Sequence, residues 1–275
     1  MNSIDHYAVF GSPINHSKSP RIHRLFAEQT QQNLDYVAQE VNAENFVEAV
    51  TEFFVQGGKG LNCTVPLKEL AWQFADIKTE RAESAKAVNT LALQSDGSIL
   101  GDNTDGIGLV TDLTVNYGIE LKDKRVLILG AGGATRGIIS PLFDQKPDCL
   151  VVANRTIEKA FQLAIEFNHR LEGCGFHTLE HRQFDVILNA TSASLSDELP
   201  PLPENLLAEN GVCYDLAYSN KPTTFVRWGK LQNANKNLDG LGMLVEQAAE
   251  AFLLWRGVRP DTKTVIDLLN AERSV

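Results

Sequence analysis

The stretch RVLILGAGGATRG, residues 125–137, decides the fold of this chain. Residues 125–129 form a nearly continuous apolar run, which is typical of a strand covered on both faces of a parallel sheet. Glycines at positions 130 and 132 allow a tight turn whose backbone N–H groups can approach a pyrophosphate, and the following helix adds unpaired donors and the positive end of its dipole. This order predicts a dinucleotide-binding half of the chain; a glycine turn without a ligand is the alternative. The generic pattern has Gly or Ala at its sixth position, where this chain has Thr135, so the match is partial.

The residues after this turn continue the alternation of helices and strands. Apolar runs at 150–153, 184–188 and 212–216 predict three further strands, and helical stretches are predicted around 138–139 and over 156–168. Strands separated by single helices form right-handed βαβ units with a parallel sheet. We therefore predict a Rossmann-like nucleotide domain.

The first part of the chain predicts a second α/β unit. Strands are predicted at 7–11, 60–65 and 87–93. A helix is predicted to begin with Ser19 as its cap and Pro20 at its first position.

Apolar residues at helical spacing over 244–255 predict a tail helix. The expected fold is α/β: a Rossmann-like nucleotide domain plus an α/β substrate domain completed by the C-terminal helices. The predicted domains are a substrate-binding and catalytic domain at 1–105, the nucleotide-binding domain at 106–238, and C-terminal helices at 239–275 that pack back on the first domain.

Composition and charge exclude several classes of protein. Hydrophobic residues make up 43% of the chain and charged residues 22%, an ordinary globular mixture. Lys and Arg total 25 against 35 Asp and Glu, and the net charge of −10 repels phosphate backbones, so we expect no nucleic-acid partner. The N-terminus lacks a basic segment followed by an apolar stretch, and no apolar run reaches the ~18 residues that a membrane span needs. We expect a cytoplasmic chain with no membrane contact.

The four cysteines form no Cys-x-x-Cys pair and show no metal-ligand spacing with histidine, so we expect reduced thiols and no metal. No exposed apolar stripe stands out, and both a monomer and a homodimer stay open.

The end of the strand after the glycine turn indicates the cofactor. NAD-binding halves usually place Asp or Glu there to hold the ribose 2′-hydroxyl. This chain instead has Asn154, Arg155 and Thr156, with Lys159 one turn later. A guanidinium beside hydrogen-bonding side chains would hold a 2′-phosphate, which a carboxylate would repel, so the sequence favours NADP. The alternative is that Arg155 lies on a solvated helix start.

Eight motifs in order along the chain carry a resemblance to a known family. They are AVFGSPI (8–14) with HSKSP (16–20), NCTVPLK (62–68), AVNT (87–90), GDNTDG (101–106), GAGGA (130–134), NRT (154–156), NATS (189–192) and DGLGML (239–244). With these motifs the chain resembles the bacterial, single-function shikimate dehydrogenases from Tyr7 to about Ile266. The resemblance implies reversible, NADP-dependent reduction of 3-dehydroshikimate to shikimate in aromatic amino-acid (chorismate) biosynthesis.

The resemblance also implies roles for individual residues. Lys68 matches the family's acid–base lysine, and Asp105 matches its partner. The positions that match substrate contacts are Ser17, Ser19, Thr64, Asn89, Asp105, Tyr218 and Gln247. The positions that match cofactor contacts are Gly130, Ala131, Gly132, Gly133, Ala134, Asn154, Arg155, Thr156, Lys159, Leu216, Gly240 and Glu80. Cys63, Ser194 and Leu216 depart from the residues usual in the family.

The chemistry of the reaction gives these residues a physical reason. Reduction of a ketone leaves negative charge on its oxygen, which needs a proton or a cation. The ammonium of Lys68 offers both, and Asp105 can hold it in place, so we expect these two groups to meet. The sequence leaves open which of them exchanges the proton. It also leaves open whether the amide of Gln247 faces the substrate or bonds to backbone within the core.

Two other functions stay open. A quinate/shikimate dehydrogenase with relaxed cofactor choice is the nearer one, although Arg155 argues against a preference for NAD. A non-catalytic NADP-sensing module is the second, although a sensor has no need of a proton donor at position 68.

Overall fold

The computed structural model of the chain describes residues 4–273. The chain divides into two compact units. The first contains the residues up to Leu109 together with Leu244–Asn270, and the second contains Val110–Met243 together with the residues from Ala271 onward.

The first unit contains a six-stranded mixed sheet with the strand order β2-β1-β3-β5-β6-β4. Its strands are β1 (Asp5–Gly11), β2 (Leu34–Glu40), β3 (Gly58–Cys63), β4 (Ile77–Lys78), β5 (Thr90–Leu93) and β6 (Ile99–Asp102). Strand β1 is parallel to β2 and β3, β4 is parallel to β6, and β5 is antiparallel to both β3 and β6. The antiparallel register aligns Asn62 with Thr90 and Thr90 with Asp102, so polar residues of three strands form one row.

Helices flank these strands along the chain. They are α1 (Ser19–Thr30), α2 (Phe46–Val55), α3 (Lys68–Phe74), α4 (Glu80–Ala85), α5 (Asp105–Thr111), and, near the C-terminus, α9 (Leu241–Arg256) and α10 (Thr262–Arg273). Alternate residues of β1 face opposite sides of the sheet. Phe10 packs in the cluster that includes Leu61 and Leu91, whereas Tyr7 packs with Tyr36 against the half-buried Trp255.

The second unit contains a six-stranded sheet in which every pairing is parallel, with the order β12-β11-β10-β7-β8-β9. Its strands are β7 (Arg125–Leu129), β8 (Cys149–Ala153), β9 (Glu172–Cys174), β10 (Phe184–Asn189), β11 (Leu207–Asp215) and β12 (Lys236–Asp239), and its helices are α6 (Gly133–Asp144), α7 (Ile157–Glu166) and α8 (Thr224–Leu231). The strand order reverses at β7, the strand before the glycine turn, and ligands of such sheets bind outside the carboxyl ends of the strands at this point. The predicted fold class, a Rossmann-like unit plus an α/β unit, is confirmed.

Two local predictions for the first unit are wrong. Ser19 is not the cap of α1: Lys18 occupies the cap position, and the hydroxyl of Ser17 accepts the N–H of Ser19 at 3.3 Å. The strand predicted at 87–93 begins only at Thr90, because the N–H groups of Val88 and Asn89 donate to the carbonyls of Lys68 and Asp102 instead.

Within residues 4–273, no helix combines the length and the apolar character that crossing a membrane requires. All four cysteines are free thiols. The same residues contain no group of three or more His, Cys, Asp or Glu side chains that could hold a metal ion.

Candidate active site

A partly buried ion pair lies in the first unit. Lys68 and Asp105 are the first residues of α3 and α5, and the ammonium of Lys68 donates to Oδ2 of Asp105. The two side chains are 18% and 9% exposed. The pair predicted from residues 37 positions apart is therefore formed.

Asn89 fixes the orientation of this carboxylate. Its amide Nδ2 donates to Oδ1 of Asp105 at 2.8 Å and to the hydroxyl of Thr104 at 2.9 Å. Its Oδ1 accepts the backbone N–H of Thr104 at 2.9 Å. Both oxygens of Asp105 therefore have a partner, and the carboxylate cannot rotate without breaking a buried hydrogen bond.

The amide of Gln247 joins the same cluster from α9. Its Oε1 accepts from Nδ2 of Asn89 at 3.2 Å and from the hydroxyl of Thr104 at 3.4 Å, and its Nε2 donates to the backbone carbonyl of Leu244 at 2.9 Å. The nitrogen end of the Gln247 amide therefore bonds to backbone, and its oxygen end faces the polar cluster.

A chain of hydroxyl and amide groups links Ser19 to this cluster. The side chain of Ser19 hydrogen-bonds to that of Tyr36, whose hydroxyl donates to Oδ1 of Asn62 at 2.7 Å. The Asn62 amide donates to the hydroxyl of Thr90 at 3.0 Å, and that hydroxyl donates to Oδ1 of Asn89 at 2.9 Å. Burial raises the pKa of Tyr36 well above its usual value, so this phenol stays a donor.

Sequence reasoning missed Tyr36, Asn62 and Thr90 as members of this cluster. Asn62 and Thr90 lie inside quoted motifs, but the contact between them becomes visible only when the register of β3 against β5 is known. Tyr36 lies on the edge strand β2 and belongs to none of the motifs.

The remaining predicted substrate contacts lie at the edges of elements. Ser17 is half-buried just before α1, two residues from the buried Ser19. Thr64 is half-buried after β3, and its methyl group would lie 2.4 Å from a Cβ added at Gly11, which explains glycine there. Tyr218, also half-buried, belongs to the second unit.

In the second unit, the glycine turn has the geometry that a pyrophosphate needs. Gly130 has φ +101°, a conformation that side chains disfavour, and a Cβ there would lie 3.1 Å from Thr191. Cβ atoms added at Gly132 and Gly133 would meet nothing within 4 Å, so space is open beside the start of α6. The hydroxyl of Thr135 donates to the carbonyl of Gly130 at 2.8 Å, and the unusual sixth residue therefore stabilises the turn. Ala131 and Ala134, the other predicted residues of this turn, are half-buried.

The predicted phosphate-reading residues follow β8. Asn154 accepts the N–H of Ala131 at 3.2 Å and donates to the carbonyl of Thr156 at 2.8 Å, so it joins the glycine turn to the start of α7. Arg155 and Lys159 are exposed.

Leu216 and Gly240 are close neighbours: a Cβ at Gly240 would lie 2.1 Å from the carbonyl oxygen of Leu216. The buried carboxylate of Asp215 lies directly before Leu216. It accepts hydrogen bonds from the hydroxyls of Ser194 and Thr223 at 2.7 and 2.6 Å, and these bonds fix the end of β11. Burial raises the pKa of Asp215. Glu80, predicted near the cofactor, is an exposed first residue of α4 in the first unit.

A glycine turn at the switch point of a parallel sheet, accompanied by a separate unit that holds a partly buried lysine–carboxylate pair, defines a class of dinucleotide-dependent α/β enzymes. Comparison with known proteins specifies the class further. Residues 9–91 match the family description "Shikimate dehydrogenase substrate binding domain", residues 113–196 match "Shikimate / quinate 5-dehydrogenase", and residues 240–269 match "Shikimate 5'-dehydrogenase C-terminal domain".

Relatives cover nearly the whole chain. The protein named "Shikimate dehydrogenase (NADP(+))" of Methylococcus capsulatus is 60% identical over 275 residues, covering 99% of each chain. The solved structure of an Ael1 enzyme from Pseudomonas putida has a TM-score of 0.90 at 48% identity, covering 96% of this chain and 98% of that one. A Thermus thermophilus shikimate 5-dehydrogenase, solved with NADP(H) and shikimate, has a TM-score of 0.87 at 33% identity, covering 99% of this chain and 100% of that one. The chain belongs to the shikimate dehydrogenase family.

Proposed function

We propose that this chain catalyses the reversible, NADP-dependent reduction of 3-dehydroshikimate to shikimate. The observation that carries the proposal is the partly buried pair of Lys68 and Asp105, fixed by Asn89, in a chain 60% identical to a named NADP-dependent shikimate dehydrogenase. The reaction places the chain in aromatic amino-acid biosynthesis.

Lys68 and Asp105 act as the acid–base pair. The ammonium of Lys68 donates to the carbonyl oxygen of the substrate as negative charge develops there, which removes the need to reorganise solvent. Asp105 keeps the ammonium in place and accepts from a neighbouring hydroxyl of the substrate. Asn89, bonded to Asp105 at 2.8 Å, prevents the carboxylate from rotating away.

Neutral donors bind the anionic substrate, since a protein with a net charge of −10 offers no general attraction for an anion. Ser17 and Ser19 at the start of α1 bind its carboxylate. The side chains that bind its hydroxyl groups are Thr64, Asn89, Asp105, Gln247 and Tyr218.

The second unit holds NADP, the cofactor in the names of the curated relatives. The turn from Gly130 to Ala134 takes the pyrophosphate, and the open space at Gly132 and Gly133 fits this group. The residues that take the adenosine phosphate are Asn154, Arg155, Thr156 and Lys159. Leu216 and Gly240 lie beside the nicotinamide, and Glu80 is a further cofactor contact. When bound, NADPH supplies the hydride for the reduction.

The assignment of roles to domains extends this proposal. Residues 1–105 form the substrate-binding and catalytic domain, residues 106–238 form the NADP-binding domain, and the C-terminal helices at 239–275 complete the first of these.

Initial rates with four pairs of substrates test the function: shikimate or quinate, each with NADP or NAD, followed by the absorbance of the reduced nicotinamide. We expect the highest kcat/KM for shikimate with NADP. Comparable rates with quinate and NAD would support the relaxed quinate/shikimate enzyme. Binding of NADP without any turnover of shikimate would support the non-catalytic module.

A further inference from the structure

Arg81, the second residue of α4, makes a two-pronged ion pair with Asp102. Its Nε lies 2.7 Å from Oδ1 of Asp102 and its Nη2 lies 2.5 Å from Oδ2. Asp102 is almost fully buried, with 1% of its side chain exposed. The hydroxyl of Thr79 at 2.6 Å and the N–H of Asn103 at 2.7 Å donate to the same Oδ1, so this carboxylate accepts four hydrogen bonds.

The same guanidinium binds a second carboxylate, on α9. Nη1 and Nη2 of Arg81 each lie 3.3 Å from Oε1 of Glu250. Glu250 lies one turn after Gln247 on this helix, and its other oxygen accepts from Arg259 at 2.9 Å. Arg259 also binds Glu246 at 2.7 Å, so the helix is held on both sides of Gln247.

The contact of Arg81 with Asp102 leads directly to the ion pair of Lys68 and Asp105. Asp102 is the last residue of β6, and the next residue, Asn103, accepts the N–H of Asp105 at 3.2 Å. The amide of Asn103 also donates to the carbonyl of Ala87 at 3.0 Å. The backbone that ends in Asp105 is therefore fixed by the carboxylate that Arg81 binds.

The geometry points to Arg81 as a positioning residue for the proposed reaction: one guanidinium sets Asp105 through Asp102 and Gln247 through Glu250. The inference rests on the proposed function and adds a residue that touches neither Lys68 nor Asp105. A planar fork with fixed donor directions can define the distance between two carboxylates, which the ammonium of a lysine cannot do. A small displacement of reacting groups can lower a rate by ~10²-fold, so the effect is measurable.

Steady-state kinetics of Arg81→Gln and Arg81→Lys test the inference. We expect kcat to fall ~10–100-fold in both variants, because the charge alone does not restore the fork. Single substitutions of Asp102 and Glu250 separate the effects of the two contacts of Arg81. Asp102→Asn lowers kcat through Asp105, whereas Glu250→Gln raises KM for shikimate through Gln247 and leaves kcat within a factor of about 3.

Arg256→Gln is the matched control. Arg256 is a half-buried arginine of the same helix as Gln247, and it pairs with Asp5 and Gln32 in the same unit. Its loss removes an ion pair from α9 without touching Arg81, so thermal stability falls while kcat stays within a factor of about 3. Equal losses of kcat in Arg81→Gln and Arg256→Gln would overturn the inference.

Amide hydrogen exchange of the free protein gives a readout that needs no turnover. The N–H groups of Asn103, Thr104 and Asp105 are all held by side chains of this network. We expect them to exchange faster in Arg81→Lys than in the wild type and not in Arg256→Gln. Unchanged exchange would overturn the positioning role, whereas wild-type protein without activity on shikimate would overturn only the proposed function.

Discussion

The two predicted sites of this molecule are built in opposite ways. In the first unit, side chains from several elements bind one another: Asn89 alone contacts Thr104, Asp105 and Gln247. In the second unit, the glycine turn offers backbone groups beside open space, and Arg155 and Lys159 are exposed.

The difference follows from what each site has to do. Proton transfer requires donors and acceptors fixed before the substrate arrives, because reorganisation during the reaction raises the barrier. A phosphate accepts hydrogen bonds from many directions, and flexible cations can adjust to it. Substitutions of the acid–base pair in the first site should therefore act mainly through kcat, and substitutions in the second site should act through KM for the cofactor.

Removing the ammonium of Lys68 is expected to have the largest effect. In Lys68→Ala, kcat should fall by ~10²–10⁴, the range for a lost general acid–base group, with a smaller change in KM. Lys78→Ala is the control, because Lys78 is a half-buried lysine of the same unit that donates to the carbonyl of Ala75. Steady-state rates with shikimate and NADP measure both; a Lys68→Ala enzyme as fast as the control would remove Lys68 from the mechanism.

Removing the guanidinium of Arg155 should affect only the second site. Arg155→Ala is expected to raise KM for NADP by ~10–100-fold, because the charge-assisted hydrogen bonds to the 2′-phosphate are lost. KM for NAD, which lacks this phosphate, should stay nearly unchanged. Arg227→Ala is the control, since this exposed arginine of the same unit pairs with Asp197. Equal increases for NADP and NAD would show that Arg155 does not read the 2′-phosphate and lies on a solvated helix start.

The sequence predicted the strand, turn and helix of the second site more completely than the elements of the first, for a physical reason. Residues 125–137 form strand, turn and helix as one local unit, and burial of β7 on both faces leaves a continuous apolar run that can be read directly. Strand β2 has no such pattern. It is an edge strand in which only Tyr36 is buried, so neither a run of buried residues nor an alternation of buried and exposed residues marks it.

The contacts of the first site depend on register between distant strands. Lys68, Asn89 and Asp105 are predicted because they lie in the motifs that carry the family resemblance. The row of Asn62, Thr90 and Asp102 exists only because β5 runs antiparallel to both of its neighbours. The short connection through Asp96 and Gly97 indicates a hairpin of β5 with β6, but nothing in the local pattern predicts the direction of β5 relative to β3. For the same reason, the contact of Arg81 with Glu250, 169 residues away, has no signal in the sequence.

The buried imidazole of His23, in the first unit, lacks the hydrogen bonds that its polar neighbours make among the residues that the structure describes. His23 stacks on Tyr36 with ring centroids 4.1 Å apart, and neither of its ring nitrogens has a partner within residues 4–273. Burial lowers the pKa of His23 from 6.5 to about 3, so the imidazole stays neutral in the folded chain. The unfolded chain takes up a proton below its own pKa of 6.5, so stability present above that pH is lost as the pH falls towards 3.

Urea unfolding of the wild type and of His23→Leu should separate this contribution. At 1.36 kcal/mol for each pKa unit, His23 alone lowers the free energy of unfolding by about 2 kcal/mol between about pH 7.5 and about pH 5. His23→Leu should lose about 2 kcal/mol less over that range, and it should be no less stable at the higher pH because it buries no unpaired nitrogen. An equal loss in both proteins would mean that the imidazole finds a partner or a proton in the folded state.

The smallest expected effect distinguishes two roles of Ser17. Its hydroxyl accepts the N–H of Ser19 at 3.3 Å, which is a structural role, and the proposed function also has it bind the substrate carboxylate. Loss of one hydrogen bond to a charged group is worth ~1.5 kcal/mol, so Ser17→Ala should raise KM for shikimate ~10-fold and leave kcat nearly unchanged. Ser12→Ala, which removes an exposed hydroxyl bonded to Glu40 at 3.1 Å, should leave both constants at their wild-type values. A fall in melting temperature with an unchanged KM would assign Ser17 to the start of α1 alone, and the carboxylate would then depend on Ser19 and the other donors of the first unit.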